Sequence, residues 1–277
     1  LLGLMESTVA KCDALISTGQ EESMKRRAIA CLTILAAMPL TTAYEVKAQN
    51  NSILHATLVE TAARTQEVST DELRRLLAAR SAIVIDTRGR VEFEAGHIPD
   101  AVSLDAPAAE HVTAVGRLAG DDKKKALVLY CNGPFCQASR RLGDQLVEAG
   151  YTNVRRYQLG IPVWRALGGP TAIELGGIKR AVAGDQLLVL VDARPADAFT
   201  KGSLPRARSA PVDDVLSGKL KKIDLPEDDF NRRIVLFGRD GEDARRLADF
   251  MATRPWHNVM YFPGTFAELQ FAIAATR

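Results

Sequence analysis

Two cysteines, Cys131 and Cys136, follow the apolar run Leu127-Val128-Leu129-Tyr130 and precede a stretch, Gln137 to Ala149, with helical spacing of apolar residues. A cysteine directly after a buried parallel strand, in a short loop leading into a helix, sits at the carboxyl end of a sheet, where open α/β folds hold their ligands. Successive backbone N–H groups of such a loop and the dipole of the helix both favour an anion. They lower the thiol pKa, so the spacing predicts a thiolate at neutral pH and nucleophilic, covalent chemistry. The competing reading is that Cys131 is a small buried hydrophobe, which a free cysteine often is. The other two cysteines, Cys12 and Cys31, lie near the N-terminus. Four irregularly spaced cysteines do not make a secreted disulfide scaffold, and they lack the paired short spacings and nearby histidines of a zinc site. Nothing in the sequence calls for a metal or an organic cofactor.

The elements that must position this loop are organised by an internal repeat. Ile83-Val84-Ile85-Asp86-Thr87-Arg88 returns as Val189-Leu190-Val191-Asp192-Ala193-Arg194. Phe93, Gly96, Ile98, Pro99 and Ala101 return as Phe199, Gly202, Leu204, Pro205 and Ala207. Leu127 to Tyr130 returns as Ile234 to Phe237, and each run is followed by Arg-Arg-Leu, at Arg140 to Leu142 and Arg245 to Leu247. The short apolar runs read as buried parallel strands, and Thr70 to Ala79 and Gln137 to Ala149 read as helices. Ser69 or Thr70 supplies a cap for the first helix, and Gly150 stands where the second should stop. Alternation of strand and helix predicts α/β units, with Gly168, Gly169 and Pro170 closing the first and Thr171 to Ile178 connecting it to the second.

The chain has 277 residues, 47% of them hydrophobic and 25% charged, a balance suited to two globular domains. Its 36 basic and 34 acidic residues are interspersed, so no basic stripe tracks a phosphate backbone, and nucleic acid is not an expected partner. The compact run Lys123-Lys124-Lys125 reads as a solvated turn. Near the start, Met24 is followed by Lys25, Arg26 and Arg27, an apolar run from Ala28 to Leu40, and small residues ending Val46-Lys47-Ala48. That order predicts a secretory signal peptide at about 24–48, cleaved after Ala48, and hence a periplasmic or secreted protein. The run is shorter than the roughly 20 residues of a permanent span, so no stable membrane insertion is expected after cleavage. An uncleaved amphipathic anchor and lipidation at Cys31 are the alternative readings. Residues 1–23 read as the product of an upstream start or as a segment appended for expression.

The turn from Asp86-x-Arg88 through Glu92-Phe93 to Gly96-His97-Ile98-Pro99-x-Ala101, the strand ending Tyr130-Cys131, and the segment around Gly160, Trp164, Gly168 and Pro170 are three pieces that together resemble the rhodanese family of sulfurtransferases. The resemblance implies two rhodanese-like domains, each a mostly parallel central sheet flanked by helices: a catalytic one over 66–171 and an inactive one over 177–275, after a leader over 1–48. It implies double displacement, in which Cys131 takes sulfane sulfur from a small donor as a persulfide and a thiol or protein acceptor removes it. The active-site loop would be Asn132, Gly133, Pro134, Phe135, Cys136 and Gln137. Asp86 and Arg88 read as a pair tying the loop that begins there, with a part in the chemistry the lesser alternative. His97 reads as a packing residue, with loop orientation the lesser alternative.

The loop departs from the family pattern. It contains no Arg or Lys to bind the outer oxygens of thiosulfate, and Pro134 and Phe135 make its mouth apolar, which favours thiol persulfides, protein persulfides or polysulfides. Cys136 falls where the family often has arginine. A second thiol there either resolves a persulfide, closes a disulfide with Cys131, or is a passive replacement; the disulfide requires Cα atoms within about 7 Å. In the second unit Gly238 replaces Cys131, Ser203 replaces His97, and Asp240, Glu242 and Asp243 make the loop acidic. That unit is expected to be a noncatalytic partner whose loop repels anions.

Overall fold

The computed structural model describes residues 64–274, so the expected leader, Cys12 and Cys31 lie outside the described residues. The described residues belong to one compact unit and build two five-stranded sheets whose strand pairings are all parallel.

The first module runs β1 (Gln66–Glu67), α1 (Thr70–Ala79), β2 (Ile83–Asp86), α2 (Arg90–Ala95), β3 (Val102–Ser103), α3 (His111–Ala119), β4 (Leu127–Tyr130), α4 (Gln137–Glu148), β5 (Val154–Tyr157) and α5 (Gly160–Ala166). Its sheet order is β1-β5-β4-β2-β3. The second module runs β6 (Thr171–Ala172), α6 (Leu175–Gly184), β7 (Val189–Asp192), α7 (Ala196–Thr200), β8 (Arg208–Ser209), α8 (Val212–Leu216), β9 (Ile234–Phe237), α9 (Gly241–Met251), β10 (Val259–Tyr261) and α10 (Phe266–Ala274). Its order, β6-β10-β9-β7-β8, repeats the first.

Local signals explain the elements. Ser69 accepts from the Glu72 N–H at 3.1 Å and caps α1, whose first turn carries Asp71 and Glu72 toward the positive end of the dipole. Arg80, in the left-handed region, ends it. The strand β4 is buried throughout, and its side chains alternate between two cores. Val128 and Tyr130 pack with Leu73, Ile161 and Trp164 on one face, while Leu127 and Leu129 pack with Leu142 and Leu146 on the other. Fully burying side chains of this kind contributes roughly 1.5–3 kcal/mol each.

The segment Thr171–Ile178, read from sequence as a connector, does more than connect. Thr171 and Ala172 pair with Met260 and Tyr261 as the edge of the second sheet. Ala172 also exchanges both backbone hydrogen bonds with His97, at 2.9 Å each, so the modules are joined through main chain. Ion pairs Arg180–Glu94 at 2.8 Å and Arg245–Asp100 at 3.0 Å reinforce the contact. Among the described residues no helix is long and apolar enough to cross a membrane.

Candidate active site

Register fixes where Cys131 sits. Asp86, the last residue of β2, lies opposite Tyr130, the last of β4, so Cys131 emerges at the carboxyl end of the sheet beside the start of the Asp86 turn. Cys131 is 3% exposed, whereas Cys136 is only half-buried and Phe135 is 85% exposed at the loop tip. Asn132 and Gln137 are exposed as well, Gly133 is buried and Pro134 half-buried.

The loop closes on itself and on α5. Gly133 has φ +112°, a conformation side-chain-bearing residues rarely adopt, and its carbonyl accepts from the Cys136 N–H at 3.0 Å. Asn132 Nδ2 donates to Glu92 Oε1 at 2.7 Å, anchoring the outer side to α2. Ile161 N–H donates to the Cys131 carbonyl at 3.1 Å. A disulfide joins Cys131 and Cys136, with Cα atoms 6.1 Å apart, inside the limit set by disulfide geometry.

Cys136 is the N-cap of α4 and makes no side-chain cap hydrogen bond, so the first N–H groups of that helix are not claimed by a capping side chain. The corresponding position of the second module is different. Phe237 pairs with Asp192 as Tyr130 does with Asp86, which places Gly238 at the position of Cys131. Asp240 then caps α9, accepting from the N–H groups of Glu242 and Asp243 at 3.0 and 3.1 Å. Asp243 pairs with Arg239, whose guanidinium holds that carboxyl below its ordinary range. Asp240 thus takes up the helix N–H groups that a bound anion would otherwise meet, while Asp243 is paired with Arg239.

Asp86 and Arg88 form a buried pair at 2.6 Å. Arg88 reaches Asp86 through its backbone N–H, Nε and Nη2, and Nη2 also donates to the Gly96 carbonyl at 2.8 Å. These bonds staple the turn after β2. Tyr130, which sequence reading took only as a strand residue, completes the network: its hydroxyl donates to Asp86 Oδ2 at 2.6 Å and accepts from the Ile98 N–H at 3.1 Å. Burial pushes its pKa well above the ordinary phenol value, which keeps the donor proton in place. In the second module Phe237 lacks that hydroxyl, and Ser203 Oγ donates to Asp192 Oδ2 at 2.6 Å instead. The substitution of serine for His97 is thus coupled to the loss of a tyrosine. The available signal was the repeat itself, which sets a tyrosine against a phenylalanine at matching strand ends.

His97 is buried, stacks on Phe93 with ring centroids 3.8 Å apart, and donates from Nδ1 to the Phe93 carbonyl at 3.0 Å. It packs beneath the turn and against Ala172, and its Nε2 lies 3.9 Å from Glu174. Burial pulls its pKa below the usual value near 6.5. The unfolded chain then takes up the proton first, so the contribution of His97 to stability is whole above pH ~6.5 and is lost as pH falls toward the folded-state pKa. The expected result is a denaturation midpoint that drops on acidification below that value, with a shallower drop in His97→Gln. An identical pH slope in the two proteins would refute the assignment. Among the described residues no group of three or more His, Cys, Asp or Glu side chains is arranged to hold a metal ion.

Two copies of one parallel-sheet module, with a cysteine loop at the strand end of the first, agree with what the chain matches. The rhodanese-like domain family matches residues 69–167 and again 178–271. The chain belongs to the rhodanese-like family. A thiosulfate sulfurtransferase, GlpE, of Pseudomonas savastanoi pv. phaseolicola is 32% identical over 95 residues, 34% of this chain and 83% of the relative. An HTH-type transcriptional regulator of Mycobacterium tuberculosis is 33% identical over 99 residues, 36% of this chain and 41% of the regulator. A solved thiosulfate sulfurtransferase from Pseudomonas aeruginosa is 24% identical and covers 77% of this chain and 46% of its own, with a TM-score of 0.35. The chain therefore spans less than half the length of the last two proteins. The rhodanese-like domains and the sulfurtransferase relative support a sulfurtransferase type of function.

Proposed function

We propose that the chain is an exported sulfurtransferase in which Cys131 accepts sulfane sulfur as a persulfide and passes it to a thiol or other nucleophilic acceptor. The observation that carries the reading is the contrast between modules. Cys131 stands at a strand end before a helix terminus with no side-chain cap, whereas at the same register the second module has Gly238 and a terminus closed by Asp240. Loop N–H groups and the α4 dipole stabilise a thiolate or a terminal persulfide sulfur there. The absence of Arg and Lys from Cys131 to Gln137, together with exposed Phe135, favours persulfide or polysulfide donors over a hydrated dianion. Export rests on the leader, and N-terminal sequencing of secreted material starting near Gln49 is its test; retention of Met24 would sink it.

The expected result for the activity is uptake of sulfur from a sulfane donor by the reduced chain, read as an added sulfur mass on Cys136→Ser and absent from Cys131→Ser. A reduced Cys136→Ser chain that folds yet takes up no sulfur from any donor class defeats the proposal. A second reading, a thiol-disulfide protein cycling its two cysteines, is favoured by the disulfide between Cys131 and Cys136. It requires Cys136→Ser to lose all activity, whereas a sulfurtransferase keeps its capacity to accept sulfur.

A further inference from the structure

We propose that Cys136 makes the first module a sulfane-sulfur reductase, discharging the Cys131 persulfide as hydrosulfide and closing the Cys131–Cys136 disulfide; this rests on the Cys131 persulfide reading. The disulfide shows that the loop brings the two Sγ atoms to bonding distance while the Gly133–Cys136 turn and the Ile161–Cys131 bond are in place.

The step balances as follows. The Cys136 thiol gives its proton to solvent and its thiolate attacks Sγ of the Cys131 persulfide. A bond forms between the two Sγ atoms, the bond from Cys131 Sγ to the outer sulfur breaks, and its electron pair leaves with that sulfur as hydrosulfide. The sulfane sulfur is reduced by two electrons and the cysteine pair is oxidised by two. Hydrosulfide is a weaker base than an alkyl thiolate and leaves readily.

The cycle needs a dithiol reductant, and the burial of the two sulfurs sets where it acts. Cys131 is 3% exposed and sits behind the loop; Cys136 is half-buried beside the projecting Phe135. An incoming thiolate attacks Cys136 Sγ, giving a mixed disulfide there. The electron pair goes to Cys131, whose thiolate is held by the loop N–H groups and the helix dipole. The second thiol of the reductant then releases Cys136. Reduction thus regenerates the nucleophile in its reactive form.

The test uses the full chain, reduced, freed of reductant and exposed to inorganic polysulfide. Wild type is expected to release hydrosulfide and to lose the mass of two hydrogens. Cys136→Ser and Cys136→Ala are expected to keep one added sulfur and to release hydrosulfide about a hundredfold more slowly or less, since an intramolecular attack has become bimolecular. Wild type that holds the added sulfur as stably as Cys136→Ser overturns the inference and leaves the persulfide reading intact. Cys136 variants that fold yet take up no sulfur overturn both. In a second measurement the oxidised chain is treated with limiting glutathione, and the mixed disulfide is expected on Cys136; finding it on Cys131 refutes the direction of attack.

Discussion

Gly160→Ala is expected to lower sulfur transfer about a hundredfold while the chain remains folded, the size of loss that an ångström-scale displacement of catalytic groups produces. Gly160 opens α5 at φ +65° and is buried directly beneath the loop. A Cβ built there runs into the Cys131 carbonyl oxygen and into N and Cα of Gly133, all backbone atoms with no rotamer by which to yield. The loop must lift away from α5, and the Ile161–Cys131 hydrogen bond stretches with it. What moves is the ring of N–H groups that would hold the outer sulfur, so the loss falls on the transfer step. The positive φ adds about 1 kcal/mol of strain for a residue with a Cβ. Single-turnover persulfide formation followed by mass, with thermal unfolding measured in parallel, checks both parts. An unchanged rate would show that the seating of the loop on α5 does not matter.

The sequence carried most of the framework because its signals are local. Thr70 to Ala79 has a serine before it, acids in its first turn and periodic leucines, and the helix occupies those bounds. The second predicted helix stops at Glu148, with Ala149 as its cap, one residue short of expectation. The four-residue runs at β2, β4, β7 and β9 are apolar on both faces up to the closing Asp86 of β2 and Asp192 of β7, as strands covered by helices must be. What escaped depends on register between distant segments. Thr171–Ala172 has no strand pattern of its own and becomes one by lying against Met260 and Tyr261. The Tyr130 hydroxyl matters only because β2 and β4 pair with Asp86 opposite it. At the second loop the sign of Asp240 was legible, but its use as a cap was not, since repulsion of a ligand and capture of the α9 N–H groups begin from the same carboxylate. The pairing of Cys131 with Cys136 required a Cα separation that spacing alone leaves open.

Arg88→Met is expected to destabilise the chain by about 3–5 kcal/mol, because it leaves the Asp86 carboxylate buried without its countercharge. Asp86 is fully buried, and Arg88 supplies three of its contacts from the side chain. The same substitution also strips the Gly96 carbonyl of its donor, in the turn that leads to His97 and the main-chain link to Ala172. Replacing both partners, Asp86→Leu with Arg88→Met, removes the bare charge and is expected to recover part of the loss. Recovery stays incomplete, since the buried Tyr130 hydroxyl then keeps Ile98 as donor but loses its own acceptor, a cost of about 1–3 kcal/mol. Denaturant midpoints of the two variants and wild type separate these contributions. Because Tyr130 directly precedes Cys131, the double variant should also show faster alkylation of the reduced Cys131 than wild type, as the strand end that presents it loosens. Equal alkylation rates would mean that the Asp86–Arg88–Tyr130 network holds the fold without restraining the nucleophile.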